Sequence, residues 1–254
     1  TNPNFDLLLF DYSGATTRNC DSIINADFLL SKKTENKGQV YQEIKHYLNE
    51  NKSFNYRYIG IMDDDLLFKI SEFNYMLQVA NLHDLHVFQP AIARDSYYSH
   101  RKCLQQSGRI LTYTDWVEMM APFYHITLFN AASPYFPLVN SGQGIDKFMM
   151  PCLQIIHDMN NTAIIHVAMI KHCRPIRTDN RIFSNGKTNL EEIVVMNEIS
   201  SEIVKENPVF FTNIFQEQIL DRTYTYGIPL KYKIKRIPNM LKNLYKLLVD
   251  LSYR

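Results

Sequence analysis

The sequence predicts an α/β protein: a mostly parallel sheet flanked by helices, followed by a helical C-terminal extension. Three observations lead there. Apolar, β-prone runs alternate with stretches whose apolar residues recur at helical spacing, the schedule of a layered sheet. At 254 residues, with 46% hydrophobic and 21% charged content, the chain can bury a full core and lies well outside disordered compositions. No internal repeat or low-complexity stretch interrupts the schedule.

The elements follow in order. Phe5-Asp-Leu-Leu-Leu-Phe10 is a short apolar run closed by Asp11-Tyr-Ser-Gly14, which reads as a buried first strand and turn. A weaker strand follows at Phe28-Leu-Leu30. Val40, Ile44, Tyr47 and Leu48 stand at helical spacing between Gln39 and Asn49. A strand over 56–62 then runs into Asp63-Asp64-Asp65. Ile70, Phe73, Leu77 and Ala80 predict a helix within Phe68 to Leu82, and His86 to Pro90 a strand cut off by proline. Asp115 to Tyr124 reads as extended, and Leu128 to Phe136 as helical. Gly142-Gln-Gly144 is a tight loop before a helix over Asp146 to His157, and Ala163 to Ile170 is a further strand.

The character changes after about residue 180, which divides the chain into a sheet domain over 1–180 and an extension over 181–254. Leu190 to Asn207 reads as an exposed amphipathic helix. The tail at 231–254 carries seven basic residues with Asp250 as its only acid, and an apolar face from Leu241 to Leu251. Such a tail either lies on an anionic membrane surface or docks on its own domain. No run approaches the ~18 apolar residues needed to span a bilayer. Cys20, Cys103, Cys152 and Cys173 show neither CxxC nor zinc spacing, so reduced thiols and a cytoplasmic setting are expected, at most at the inner face of a bacterial membrane. The opening Thr1-Asn-Pro-Asn shows no signal peptide and no initiator Met, which fits a numbering that begins inside a longer gene product. A net charge of +1 argues against nucleic-acid binding.

The chemistry concentrates at Asp63, Asp64 and Asp65. Open α/β sheets bind ligands at the carboxyl ends of their strands. Adjacent carboxylates repel unless a cation sits between them, so Mn2+ or Mg2+ is the natural guest, with coordination positions left for phosphate oxygens. Capping of the Phe68 helix is the competing reading, but one aspartate satisfies a cap. Strand alternation would place Asp63 and Asp65 on one side, with Asp65 the better ion ligand. His172, beyond the last strand, is a candidate second ligand, and His166 would share its face. Asp146, after the glycine turn, either caps a helix or serves as general base toward an acceptor hydroxyl. Glu118 lies in a largely apolar stretch and needs a hydrogen-bonding reason to be there, a sugar hydroxyl or a structural partner.

Taken in order, Phe5 to Gly14, Tyr58 to Leu66, Phe88 to Ala91, Trp116 to Pro122, Gly142 to Asp146 and Ile164 to Pro175 resemble a glycosyltransferase of the GT-A type, a Rossmann-like fold. More narrowly they resemble a glycosyltransferase group of bacteria and plants long filed as a domain of unknown function. The likeness covers roughly residues 5–178. It implies a nucleotide-diphosphate sugar donor, most readily a UDP-sugar, bound by Asp11, Tyr12, Asp63 and Asp64. It implies a divalent ion on Asp65 and His172, acceptor contacts from Trp116, Glu118 and Gly144, and Asp146 as catalytic base. Two positions depart from the pattern: His166 stands where an aspartate is expected, and Gln143 where an aromatic is usual.

The expected reaction is an inverting transfer of sugar to a glycan or glycolipid hydroxyl, in cell-surface polysaccharide or lipopolysaccharide synthesis. Two rivals stand beside it. Leu7 to Gly14 resembles the nucleophile strand of haloacid-dehalogenase-like phosphohydrolases, with Asp11 as nucleophile, although Ser13 occupies the acid/base position. A non-catalytic glycan-binding module on a degenerate transferase fold is the other.

Overall fold

The architecture comes from a computed structural model, which describes residues 2–15, 26–51, 54–175 and 181–208. The basic tail at 231–254 and Cys20 lie outside the described residues. The chain is mixed α/β, with a central sheet flanked by helices. β1 (Leu8–Asp11) and β2 (Phe28–Ser31) form a separate parallel pair, and α1 (Lys37–Glu50) follows.

The central sheet takes β3 (Tyr58–Gly60), β4 (Leu66–Leu67), β5 (Val87–Ile92), β6 (Leu111–Tyr113), β7 (Phe123–His125) and β8 (Thr162–His172). Its order is β3-β7-β5-β8-β4, with β6 also on β8. The longest ladder is parallel, β5 on β8, and all six residues of β5 are buried. A strand covered on both faces is apolar in most positions, and β5 carries Gln89 within its buried run and continues through Pro90 to Ile92 rather than stopping at the proline. β7 runs antiparallel to both β3 and β5, so β3, β5 and β8 share one direction. Their carboxyl ends therefore open at one edge.

Two apolar layers cover the sheet. α2 (Ile70–Leu82) sends Phe73, Met76 and Val79 against Phe88, Ile164 and Ile170. On the other side, α1, α3 (Ile126–Ala132), α4 (Met150–Ile156) and α5 (Asn189–Glu206) contribute Tyr41, Phe129, Met150 and Met196 to a second cluster. α5 is thus not exposed on all sides. Met196, Ser200 and Val204 form its buried stripe, and Thr188 opens it with a capping box to Glu191.

Local departures have local causes. Of the extended stretch expected over 115–124, only β7 is a strand, too short for alternation to reveal. The helix expected from Asp146 begins instead with a wide π-type turn over 145–149 before α4, and α3 ends in a 3₁₀ turn over 133–138. β8 bulges where Pro90 pairs with Ile165 but Ala91 with Met169, so strict alternation from His166 to His172 is lost.

Glycine at the start of α1 is a packing requirement. A Cβ on Gly38 would lie 1.9 Å from the Val139 carbonyl oxygen, and the Gly38 amide donates to the Asn140 carbonyl at 2.9 Å. Gly→Ala within a helix ordinarily stabilises by ~0.5–1 kcal/mol. Here Gly38→Ala should lower the urea midpoint, because α1 must retreat from the 139–142 loop. A raised midpoint would show that the approach is looser.

Candidate functional site

The three aspartates separate because β3 stops at Gly60 and the chain turns at Asp64-Asp65. Asp63 and Asp65 therefore do not act on one side as a pair. None of the three caps α2, whose cap position is Lys69, with no side-chain cap bond. Each takes its own partner instead.

Asp63 pairs with the Lys37 ammonium at 2.6 Å. Lys37 also donates to the carbonyls of Met119 and Met120, and the Asp63 amide donates to the Met120 carbonyl at 3.1 Å. This lysine at the first turn of α1 binds the helix to the end of β3. Asp64 is exposed and sits between the Tyr12 hydroxyl at 3.5 Å and the Arg174 guanidinium at 3.4 Å. Asp11 lies deeper in its own turn, accepting from the Ser13 amide and hydroxyl and from the Ser31 hydroxyl. Its two carboxylate oxygens are both engaged in this turn.

Asp65 meets His172, with Oδ2 3.1 Å from Nε2 and side chains only 13% and 9% exposed. The pairing follows from topology, since β4 sets Leu66 opposite His172 on β8. The Nδ1 nitrogen lies 3.1 Å from the Tyr97 carbonyl oxygen. A carbonyl only accepts, so Nδ1 carries a hydrogen. Nε2 then meets the carboxylate either as a second N–H or as a lone pair beside a shared cation. A histidine that donates its other nitrogen to a backbone carbonyl is the usual arrangement of a metal ligand. The second Asp65 oxygen, Oδ1, is buried without a hydrogen-bond partner. These two side chains fit a divalent ion. No group of three or more His, Cys, Asp or Glu side chains among the described residues converges as a preformed cage.

Asp146 and Glu118 supply buried acid. Gly144, at φ +89°, starts the wide turn that carries Asp146, and a Cβ there would lie 2.8 Å from the Met196 Cβ. Gly144 is thus a packing point against α5. Glu192 of α5, fully buried, accepts from the Asn140 and Ser141 amides at 2.8 Å each and from the Ser141 hydroxyl and Asn185 amide. That carboxylate clamps the loop that leads into Asp146. Burial pushes the Asp146 carboxyl up to about 6, against the pull of Lys147 and Lys37.

Glu118 is buried beside the Cys103 thiol, and the Gln89 side chain accepts from its amide at 2.6 Å. Its Oε2 has no partner. Burial first, and then the charges of Asp146 and Asp63, push its carboxyl above the ordinary carboxylate range, while Cys103 and His172 pull it back down. Glu118 therefore feels Asp146, Asp63 and His172 together. These parts of the predicted site lie within one electrostatic neighbourhood. Trp116 is half-buried under the Lys102 ammonium, 3.8 Å from its ring centroid.

His166 belongs elsewhere. Its Nδ1 accepts from the Gln106 amide and its Nε2 faces the Thr112 hydroxyl at 2.9 Å, across the β6–β8 pairing. Gln143 is exposed. Sequence reasoning missed Lys37, Cys103 and Glu192, since none stands in a motif; only the Lys37-Gly38 step at a helix start offered a signal. No protein-family model matches the chain, and no curated protein matches it.

The raised Asp146 carboxyl has a pH consequence. The unfolded chain ionises it near the ordinary ~3.9, so folding favours the protonated form. That stability is full below about pH 4 and is lost as pH rises through about 6. Asp146→Asn, which stays neutral, should therefore gain on wild type across that window, by roughly 2–3 kcal/mol at pH 7. A difference in urea midpoint that stays constant from pH 4 to 7 would contradict the burial.

Proposed function

We propose that the chain is a glycosyltransferase of GT-A type. It moves a sugar from a nucleotide-diphosphate donor to a glycan or glycolipid hydroxyl with inversion, and it depends on a divalent ion. The observation that carries this reading is the Asp65–His172 pair, with Nδ1 committed to Tyr97 and an orphaned Asp65 oxygen, while buried Glu118 feels the charges of both His172 and Asp146. A nucleotide-sugar site needs a cation holder and a base, and these residues supply both.

In this mechanism Asp65 and His172 would hold the ion, and Asp63, Asp64, Asp11 and Tyr12 line the donor side. Bound there, Mn2+ or Mg2+ would offset negative charge on the departing diphosphate. Asp146 accepts the acceptor hydroxyl's proton on its carboxylate as the oxygen attacks the anomeric carbon. Burial suits it to that task, because a base poised at about 6 is ionised at neutral pH yet still basic. Glu118, whose Oε2 is buried without a partner, orients an acceptor hydroxyl by hydrogen bonding. The transferase role in surface-polysaccharide synthesis and a site of action at a membrane face extend this reading through the resemblance alone. Among the described residues no helix is long and apolar enough to cross a membrane.

A thermal-shift screen of nucleotide sugars with and without Mn2+ tests the reading. A metal-dependent rise in melting temperature for one nucleotide class is expected, and no shift with any of them would overturn it. Asp146→Asn should then cut turnover by ~10²–10⁴-fold with donor affinity nearly intact. Asp65→Ala should instead weaken the metal-dependent donor binding. Donor binding lost in Asp146→Asn would refute the base assignment.

A further inference from the structure

Beside the candidate base lies a cluster of the opposite charge. Trp116 is the chain's only tryptophan. The Lys102 ammonium lies 3.8 Å from its ring centroid, and the Lys147 ammonium 5.7 Å. The His100 imidazole meets the same ring edge-on at 4.9 Å. Three nitrogen groups able to carry positive charge thus surround one indole.

Two of the three are built in. Lys102 is held by Asp115 at 3.0 Å, the Thr114 hydroxyl at 3.2 Å and the Trp116 carbonyl at 3.4 Å. Burial and then the charges of Lys147 and Lys102 push the His100 imidazole toward its neutral form. Asp115 balances one of the two ammonium groups. Lys147 is exposed, and it follows Asp146 directly in the chain. The Asp146 carboxyl also acts on both ammonium groups, so the exposed Lys147 end is where an added anion gains most, since ammonium groups hold phosphate and carboxylate oxygens through charge-assisted bonds.

We propose that His100, Lys102 and Lys147 around Trp116 form an anion-recognising acceptor subsite, which takes a sugar bearing a phosphate or carboxylate group. The inference rests on the transferase reading for its orientation, since the anion held here would bring a neighbouring hydroxyl toward Asp146. It makes the acceptor an acidic sugar unit, in a chain whose own net charge is only +1.

The lone tryptophan makes the test direct, because intrinsic indole emission reports on this one place. The full chain is titrated with glucose 6-phosphate, glucuronate, glucose and inorganic phosphate, without donor or metal. Saturable changes in emission are expected with the phosphorylated sugar or the uronate, and none with glucose. Which of the two acidic sugars binds tells phosphate from carboxylate. Lys147→Gln, an exposed change that leaves the fold intact, should weaken that binding about tenfold, the worth of one charge-assisted hydrogen bond. Equal responses to glucose and the acidic sugars, no response to any, or unchanged affinity in Lys147→Gln would overturn the subsite. Inorganic phosphate binding as tightly as the sugar phosphate would overturn its assignment to a sugar. The assay involves no donor, so it fails or succeeds independently of sugar transfer.

Discussion

Carboxyl groups taken out of water must be matched by protons, hydrogen-bond donors or cations, and this chain gathers more of them at one sheet edge than it matches. Lys37 answers Asp63, and the His172 ring faces Asp65. Glu118 has the Cys103 thiol for one oxygen and nothing for the other. Asp146 relies on nearby backbone and on the charges of Lys147 and Lys37. The imbalance costs stability. On the proposed reading, a cation on Asp65 and His172 and a proton on Asp146 would offset it.

The fold brings these groups together by strand direction. Since β7 runs against both neighbours, β3, β5 and β8 end at the same edge. The carboxyl end of β3 delivers the aspartates, that of β8 delivers His172, and the loop after β5 delivers the Tyr97 carbonyl. α5 is bound into the same apparatus, because Glu192 holds the amides of Asn140 and Ser141 and Met196 fills the space beside Gly144. Residues on either side of position 180 therefore contribute to one arrangement.

The α/β class, the helices α1 and α2, and strands β5 and β8 were legible because their apolar spacing is long enough to repeat. The short strands β4, β6 and β7 were not, since two or three residues carry no period and are held by their neighbours. Of the candidate site, Asp65, His172, Asp146 and Glu118 stood out in the sequence as charged groups at strand ends, after a glycine turn or in an apolar stretch, and tertiary structure sets Asp65 against His172 and Glu118 within the influence of His172 and Asp146. The grouping of Asp63 with Asp65 failed because β3 ends at Gly60, two residues earlier than expected, and the chain turns. The pairing of His166 with His172 failed on the bulge in β8, which sends the first ring toward Thr112. Glu192 was hidden in a helix that reads as ordinary surface, since a buried glutamate is visible only through the amides that it binds.

Direct counting of bound manganese by electron paramagnetic resonance, with and without UDP, tests the central claim most simply. The account predicts that the free-ion signal falls as the full chain is added, more steeply when UDP is present. A free-ion signal undiminished under both conditions would mean that the acidic edge holds no metal, and the transferase reading would fall with it.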